Sequence, residues 1–395
     1  MKIGIYGGTF DPIHRGHITA AQAASQQLGL DLLLLIPASI PPHKALPEGG
    51  ADAAQRLEMA TLATAELSCP AQVLDVEVRR QGKSYTADTL RTLRRQYPED
   101  ELWLLMGTDM FLSLQDWREP QEILRLARVA AFSRTGDPEQ QRFARQKAYL
   151  EETFGAQVTV VENPHVVDIS STRLRQLLPE GREYLPEAVY GYILRQRLYG
   201  THAELKHLTP EELRPIALSF LKPKRMPHVL GTEQEAIRLA RRYGADETDA
   251  RIAALLHDCT KKLDMEQQLA LCHRYDIRLD GLEQHALKLL HAKTGAAVAR
   301  DIFGVKDTVY EAIRWHTTGK PDMTLLEKVI YLADYIEPNR DFPGVERLRR
   351  TVYDDLDKGL LMGLSDTIDE MERMGNPVHH DTLEARDFLL RGEAK

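Results

Sequence analysis

Six short apolar runs punctuate the first 200 residues: Lys2–Tyr6, Leu32–Ile36, Val73–Val78, Leu102–Met106, Val129–Phe132 and Val158–Val161. Helix-period segments such as Gly16–Leu28 and Ala51–Glu66 fill most of the gaps between them. Strand, helix and strand in repetition predict an α/β domain, with a parallel sheet covered by helices on both faces. Ligands of such sheets sit at the carboxyl ends of the strands, where Gly7–His17, Pro37–Lys44 and Met106–Asp109 fall. Beyond about residue 200 the pattern changes. Glu233–Tyr243, Asp249–His257, Leu282–His291 and Leu325–Ile336 place apolar residues at three- and four-residue steps, and no strand–turn–strand signal interrupts them. The expected organisation is residues 1–197 as the α/β domain, 198–209 as a weakly periodic linker (LYGTHAELKHLT) and 210–395 as an all-helical bundle. A length of 395 residues suits two domains of about 200 each.

Charge and cysteine content narrow the function classes. Net charge is −8. Up to residue 200 there are 22 basic and 25 acidic residues, and 29 and 34 beyond it, so neither half is a basic module for general nucleic-acid binding. Cys69, Cys259 and Cys272 share no paired spacing, which predicts a reducing compartment without a disulfide framework. The longest apolar run, Leu32–Ile36, is far too short to span a bilayer, and glycines interrupt the N-terminus before signal-peptide length is reached. A soluble cytoplasmic protein with no membrane partner is expected. Self-association into a homo-oligomer stays open.

The segment GIYGGTFDPIHRGH, Gly4–His17, joins a strand to a helix through a glycine turn. Amides of Gly7, Gly8, Thr9 and Phe10 at such a junction can approach an anion closely, and the helix start adds partial positive charge. His14 and His17, three apart, project to the same side and suit a phosphate whose charge grows during in-line displacement. The spacing fits neither the dinucleotide fingerprint nor a Walker loop, and taken alone it equally suits a plain turn with two solvated histidines. The longer string decides. GGTFDPIHRGH with ISSTRLR (Ile169–Arg175), PASIPPHK (Pro37–Lys44), SYTADTL (Ser84–Leu90), GTDMFLSLQDW (Gly107–Trp117) and AFSR (Ala131–Arg134) resembles the His-x-Gly-His nucleotidylyltransferases, and among them bacterial nicotinate-nucleotide adenylyltransferase, over almost all of residues 1–195.

That resemblance implies a Rossmann-like fold and adenylyl transfer from ATP to nicotinate mononucleotide, giving deamido-NAD and pyrophosphate. It implies that His14 and His17 are catalytic and stabilise the transferring phosphate. Gly7, Gly8, Thr9 and Phe10, with Ser171, Thr172 and Arg175, would hold ATP, accompanied by Mg²⁺. Lys44 is a further candidate for phosphate contact. On the acceptor side Trp117 would stack on the pyridine, Tyr85 and Thr86 would bring amides to its carboxylate, Arg134 would pair with the phosphate and Asp109 with a ribose. Another phosphorylated acceptor, such as phosphopantetheine, is the alternative for this half. Preference for nicotinate over nicotinamide comes from the resemblance, because spacing does not distinguish a carboxylate from an amide.

Ten of the 14 histidines lie after residue 200. The pair His257–Asp258 ends the amphipathic run RIAALLHD. His380–Asp381 repeats the dipeptide in an unremarkable tail, so the pair alone carries nothing. The company matters: His228 in KRMPH, His291 in HAKTG, His316 in RWHTTG and Asp334 in YLADYIEPNR each stand near the end of a helix-period run, where a bundle can gather them. Imidazoles and carboxylates without thiolates suit one or two divalent ions such as Fe, Mn or Co better than structural zinc. His202, His207, His273, His285 and His379 read as packed or solvated, and Cys259 as buried packing. The order His…His-Asp…His…His…Asp, with LLHDCTKK, HAKTGA, IRWHTTG and EKVIYLADYIEPNRDFPGV, resembles the HD phosphohydrolases over roughly residues 205–390. It is nearest to the bacterial HD-domain symmetric diadenosine tetraphosphate hydrolases. The resemblance implies metal ligation by His228, His257, Asp258 and Asp334, a second metal on His291 and His316, and cleavage of diadenosine tetraphosphate to two ADP. Arg225, Lys261 and Arg340, beside the ligand motifs, are candidate polyphosphate contacts or solvated surface charges. Alarmones, cyclic dinucleotides and simple nucleotides are alternative substrates, and a non-catalytic nucleotide sensor is the alternative role.

Overall fold

The computed structural model describes residues 1–40, 49–80, 82–133, 137–163 and 165–393. The chain divides into two compact units, Met1–His202 and Ala203–Lys395. In the first unit β1 (Lys2–Gly8), β2 (Leu32–Pro37), β3 (Ala71–Val73), β4 (Glu101–Met106), β5 (Arg128–Ser133) and β6 (Val158–Glu162) form one sheet in the order β3-β2-β1-β4-β5-β6. Every pairing is parallel. Ile3 of β1 stands opposite Leu32 and Leu102, and Ile5 opposite Leu34 and Leu104. The strands are apolar on consecutive residues because both faces are covered, and Ile3, Ile5, Leu34, Leu104 and Val129 are all buried. Strand order reverses between β1 and β4, so the crevice that binds ligands in such sheets opens at Gly7, Gly8 and Gly107.

Local chemistry sets the helix starts. Asp52 caps the helix Ala53–Ala63 by accepting from the Gln55 amide at 2.8 Å, and the Gln55 side chain accepts from the Asp52 amide at 2.9 Å. The expected segment Ala51–Glu66 is therefore this helix plus a 3₁₀ turn, Thr64–Glu66. The run Val73–Val78 is corrected. The chain pairs with β2 only at Ala71–Val73, then leaves the sheet and turns, the Arg79 amide donating to Asp75 O at 2.8 Å. The turn buries Glu77 against Thr89, whose hydroxyl donates to it at 2.7 Å; an edge strand has no outer neighbour to hold it extended.

In the second unit no strand occurs among the described residues. Helices Met226–Tyr243, Glu247–Leu256, Leu287–Phe303, Asp307–Trp315 and Leu325–Ile336 pack on one another around Leu255, Leu256, Ile313, Val329, Ile330 and Leu332. The bounds Leu325–Ile336 are those expected, with Thr324 and Glu327 forming a capping box. The expected helix Leu282–His291 is instead broken. Asp280 Oδ1 accepts from the Leu282 and Glu283 amides, each at 2.8 Å, which starts a 3₁₀ turn over Glu283–His285. Ala286 then departs from helical angles before the helix Leu287–Phe303 begins. Cys69, Cys259 and Cys272 form no disulfide. Among the described residues no helix is long and apolar enough to cross a membrane.

Candidate active sites

At the carboxyl end of β1 the chain enters the helix Arg15–Leu28 with His14 as its N-cap residue. The His14 amide donates to His17 Nδ1 at 3.1 Å, so the neutral His17 ring carries its proton on Nε2. The two imidazoles stand with centroids 3.8 Å apart. Gly16 leaves room for the His14 ring: a Cβ there would lie 3.0 Å from that ring and 3.2 Å from Val167 O. Burial lowers His14 to about pKa 4. Burial, and then the neighbouring His14, hold His17 well below the usual histidine value. Both rings are neutral at pH 7, and His14 Nδ1 is buried without a hydrogen-bond partner.

A cavity of about 410 Å³ opens beside them. Of the expected residues, Gly7, Gly8, Thr9, Phe10, His17, Tyr85, Thr86 and Trp117 line it. Tyr85 precedes the helix Thr86–Gln96, whose first amides have no partner within the helix, and the Arg118 guanidinium lies 4.5 Å above the Tyr85 ring. Five expected residues are not part of the lining. His14 lies behind His17, and Asp109 is exposed in the first turn of the helix Thr108–Leu112, next to the lining residue Gly107. Ser171, Thr172 and Arg175 open the helix Ser171–Leu177. Ser171 Oγ donates to Pro12 O at 3.0 Å and Arg175 Nη1 to Asp11 O at 2.6 Å, so this helix start clasps the loop between the glycines and the histidines. Lys44 and Arg134 lie outside the described residues.

Sequence reasoning missed the supports of this loop. Arg56 is fully buried and donates to the carbonyls of Thr9 (2.8 Å), Ala38 (2.5 Å), Ser39 (2.9 Å) and Ala51 (3.3 Å), fastening the ends of β1 and β2 together. Asp11, also buried, accepts from the Tyr199 hydroxyl at 2.6 Å and the Ala51 amide at 3.1 Å. Within a helix an arginine reads as solvated; three of its four acceptors come from distant loops and leave no local trace.

In the second unit the six expected ligands converge. His257 Nδ1 lies 2.6 Å from Ala254 O, His291 Nδ1 2.8 Å from Lys288 O, and His316 Nδ1 2.6 Å from Ile313 O. His228 Nδ1 lies 3.1 Å from Glu337 Oε1. A ring nitrogen facing a carbonyl oxygen carries a proton, so these rings turn Nε2 inward, the atom each would offer to a metal. The inward atoms meet: His228 Nε2 is 3.3 Å from His257 Nε2 and 2.9 Å from Asp334 Oδ1, and His291 Nε2 is 3.1 Å from His316 Nε2. Asp258 joins the two halves, with Oδ2 3.4 Å from His257 Nε2 and Oδ1 3.2 Å from His291 Nε2.

This donor set fits divalent ions. Ligand atoms of His228, His257 and Asp334, and of His257, Asp258 and His316, lie within 4.8 Å of one another, and Asp258 Oδ1 is buried without a hydrogen-bond partner. Burial opposes ionisation of both aspartates. His257 and His291 nevertheless hold Asp258 well below the usual carboxylate range, and His228, His257 and Arg340 do the same for Asp334. The three expected cations are present. Arg225 Nε donates to Asp258, Arg340 Nη2 to Asp334 Oδ1 at 2.8 Å, and Lys261 Nζ to His291 Nε2 at 2.9 Å. Cys259 is buried, and burial pushes its thiol up to about 12, so it is inert. The residue missed here is Glu337, buried in the IEPNR string, which orients His228 and in turn accepts from the Asn339 amide at 2.7 Å.

Known proteins match the two halves separately. Residues 5–177 match the cytidylyltransferase-like family and residues 225–339 the HD domain. A probable nicotinate-nucleotide adenylyltransferase of Gloeobacter violaceus is 43% identical over 209 residues, covering 51% of this chain and 98% of that protein. A symmetrical bis(5'-nucleosyl)-tetraphosphatase of Halalkalibacterium halodurans is 41% identical over 179 residues, covering 44% of this chain and 95% of that protein. The corresponding Bacillus subtilis protein is 40% identical over 183 residues, 46% and 98% of the two chains. A solved HD superfamily hydrolase from Clostridium acetobutylicum is 40% identical with a TM-score of 0.45, covering 47% of this chain and 98% of that one.

Proposed function

The chain belongs to the nicotinate-nucleotide adenylyltransferase family in its first half and to the HD-domain symmetrical bis(5'-nucleosyl)-tetraphosphatase family in its second, and from that premise we propose that it is bifunctional, making deamido-NAD at one site and cleaving diadenosine tetraphosphate at the other. Residues 1–197 carry the first activity and 210–395 the second.

Adenylyl transfer needs no protein nucleophile. A phosphate oxygen of nicotinate mononucleotide attacks the α-phosphorus of ATP, the bond from that phosphorus to the bridging oxygen breaks, and pyrophosphate leaves. The observation that carries this reading is the neutral His14–His17 pair, of which His17 lines a cavity walled by Gly7–Phe10 and Tyr85–Thr86. His17 Nε2–H donates to the α-phosphate as its charge grows, with the His14 ring packed 3.8 Å against it. Amides of Gly8–Phe10 and the Ser171–Arg175 helix start cradle the remaining ATP phosphates. Trp117 stacks on the pyridine, Thr86 and its neighbour amides receive the carboxylate, and Asp109 takes a ribose. Lys44 and Arg134 complete the set as phosphate partners, and Mg²⁺ enters with ATP.

In the second half the carrying observation is the convergence of four histidine Nε2 atoms on two aspartates. His228, His257, Asp258 and Asp334 hold one divalent ion, and His291 and His316 complete a second. Such ions, when bound, acidify a water and neutralise phosphate charge. Arg225, Lys261 and Arg340 draw the polyphosphate in and orient its middle bridge. Water adds across that bridge and two ADP leave. The test is to incubate the protein with Mn²⁺ or Co²⁺ and diadenosine tetraphosphate beside His257→Ala, and to resolve products by chromatography. ADP as sole product, lost in the variant, is expected. Cleavage to AMP and ATP refutes symmetric cleavage, and no cleavage by a metal-loaded protein that still makes deamido-NAD refutes the hydrolase reading.

A further inference from the structure

The second unit gathers another pair of histidines that shares no residue with the six-ligand cluster. Asp280 spends Oδ1 on the Leu282 and Glu283 amides, which fixes its carboxylate and turns Oδ2 toward the start of the helix His380–Glu393. There His379 Nε2 stands 3.1 Å and His380 Nδ1 3.4 Å from that oxygen. His380 Nε2 is 3.2 Å from Asp381 Oδ1, which takes its proton and leaves Nδ1 as a lone pair facing Asp280. The two rings stack with centroids 4.4 Å apart.

His379 is the informative member. Its side chain is 3% exposed, and Nε2 lies 3.1 Å from Asp280 and 3.5 Å from Glu283, yet it makes no aligned hydrogen bond with either. A proton is directional, whereas a cation set between donors is not. On its other side, Nδ1 accepts from the Asp381 amide at 3.3 Å, which leaves the ring proton on Nε2; an ion at Nε2 takes that proton's place, and Asp381 Oδ2, 3.5 Å from Nδ1, receives the proton when the tautomer switches. Bonds of about 2.1 Å in a tetrahedral site place donors roughly 3.4 Å apart; the two separations from Asp280 Oδ2, 3.1 and 3.4 Å, are of that size, and all three donors lie within 4.8 Å of one another. Charge agrees. Three carboxylates, of Asp280, Glu283 and Asp381, stand at this cluster, and among the ion pairs of the described residues the only ammonium there is that of Lys293, paired to Glu283.

We propose that Asp280 Oδ2, His379 Nε2 and His380 Nδ1 form a three-ligand site for a borderline divalent transition ion such as Zn²⁺. His380, 59% exposed, is the open side by which the ion enters. The ion ties the start of the last helix to the turn that precedes Leu287–Phe303. It leaves one coordination position for water.

The probe is Zn²⁺ alone, added to the chelator-stripped full chain, with bound ions counted by elemental analysis after dialysis at low micromolar free metal. Wild type is expected to hold one ion more per chain than either His380→Ala, an exposed change that spares the fold, or Asp280→Asn, with affinity for that ion falling by more than about 100-fold. Asp258→Asn, in the other cluster, retains it. Equal counts in wild type and both variants overturn the proposal, as does an ion lost only in Asp258→Asn.

Discussion

His14 must stay neutral inside the folded protein, and that has a cost when acid is added. Burial lowers it to about 4, against an ordinary value of 6.5. Between those values the unfolded chain binds the proton and the folded one does not, so stability from this group is intact above pH 6.5, declines as pH falls toward 4, and is then fully spent. The size is on the order of 3 kcal/mol, since each pK unit is about 1.4 kcal/mol. Urea midpoints measured from pH 7 to pH 4 should therefore fall less steeply for His14→Asn than for wild type, while the variant loses adenylyl transfer. Parallel slopes would mean that His14 is not held neutral by burial. The same side chain shows what sequence discloses about a site. A histidine three residues from another, after two glycines, announces its chemistry by identity and spacing. Arg56 and Tyr199, which hold the loop in place, announce nothing, because apart from Ala51 their partners lie 17 and more residues away, in the loops that follow β1 and β2.

Helix packing raises the same question in the second unit, where Gly231 marks the closest approach to Glu337. A Cβ on Gly231 would sit 2.1 Å from Glu337 Oε2 and 2.9 Å from Asn339 Nδ2. Glu337 cannot simply swing aside, since it is buried, accepts from the Asn339 amide and side chain at 2.7 and 2.9 Å, and faces His228 Nδ1. Gly231→Ala should thus displace the carboxylate that orients a ligand without touching any ligand. The expected outcome is a 10- to 100-fold weaker affinity for divalent metal, about that typical of losing an outer-sphere partner, with Glu337→Gln giving a similar loss; unchanged metal titration in both would dismiss the role. Strong periodicity made the elements legible: Leu325–Ile336 and the five long strands stand where apolar spacing places them. The failures were at points decided by side-chain bonds. Val73–Val78 looks like a strand, but Glu77 is drawn inward to Thr89. Leu282–His291 looks like one helix, but Asp280 caps a separate turn and Ala286 breaks the run.

Each unit contains its own buried core and its own set of functional groups, so the two proposed activities should respond separately to metal removal. Stripping divalent ions leaves Asp258 Oδ1 buried without a partner and two ionised aspartates amid four imidazoles, a loss confined to the helical unit. Binding linkage makes the size calculable: an ion present at 100 times its dissociation constant stabilises the state that binds it by roughly 2.7 kcal/mol. Calorimetry of the full chain should show two transitions. A chelator should lower one by several degrees and leave the other in place, and adenylyl transfer should return in full when Mg²⁺ alone is resupplied. His257→Ala should lower the same transition and leave deamido-NAD formation unchanged. One shared transition moving as a whole, or adenylyl transfer lost with His257, would show that the units depend on each other for stability. Separate transitions would locate the reason for the fusion in chemistry instead, with the hydrolase clearing an adenylylated by-product. Deamido-NAD flux in cells carrying His257→Ala, compared with and without added diadenosine tetraphosphate, then decides that point: flux falls on addition if the by-product inhibits the first site, and stays level if it does not.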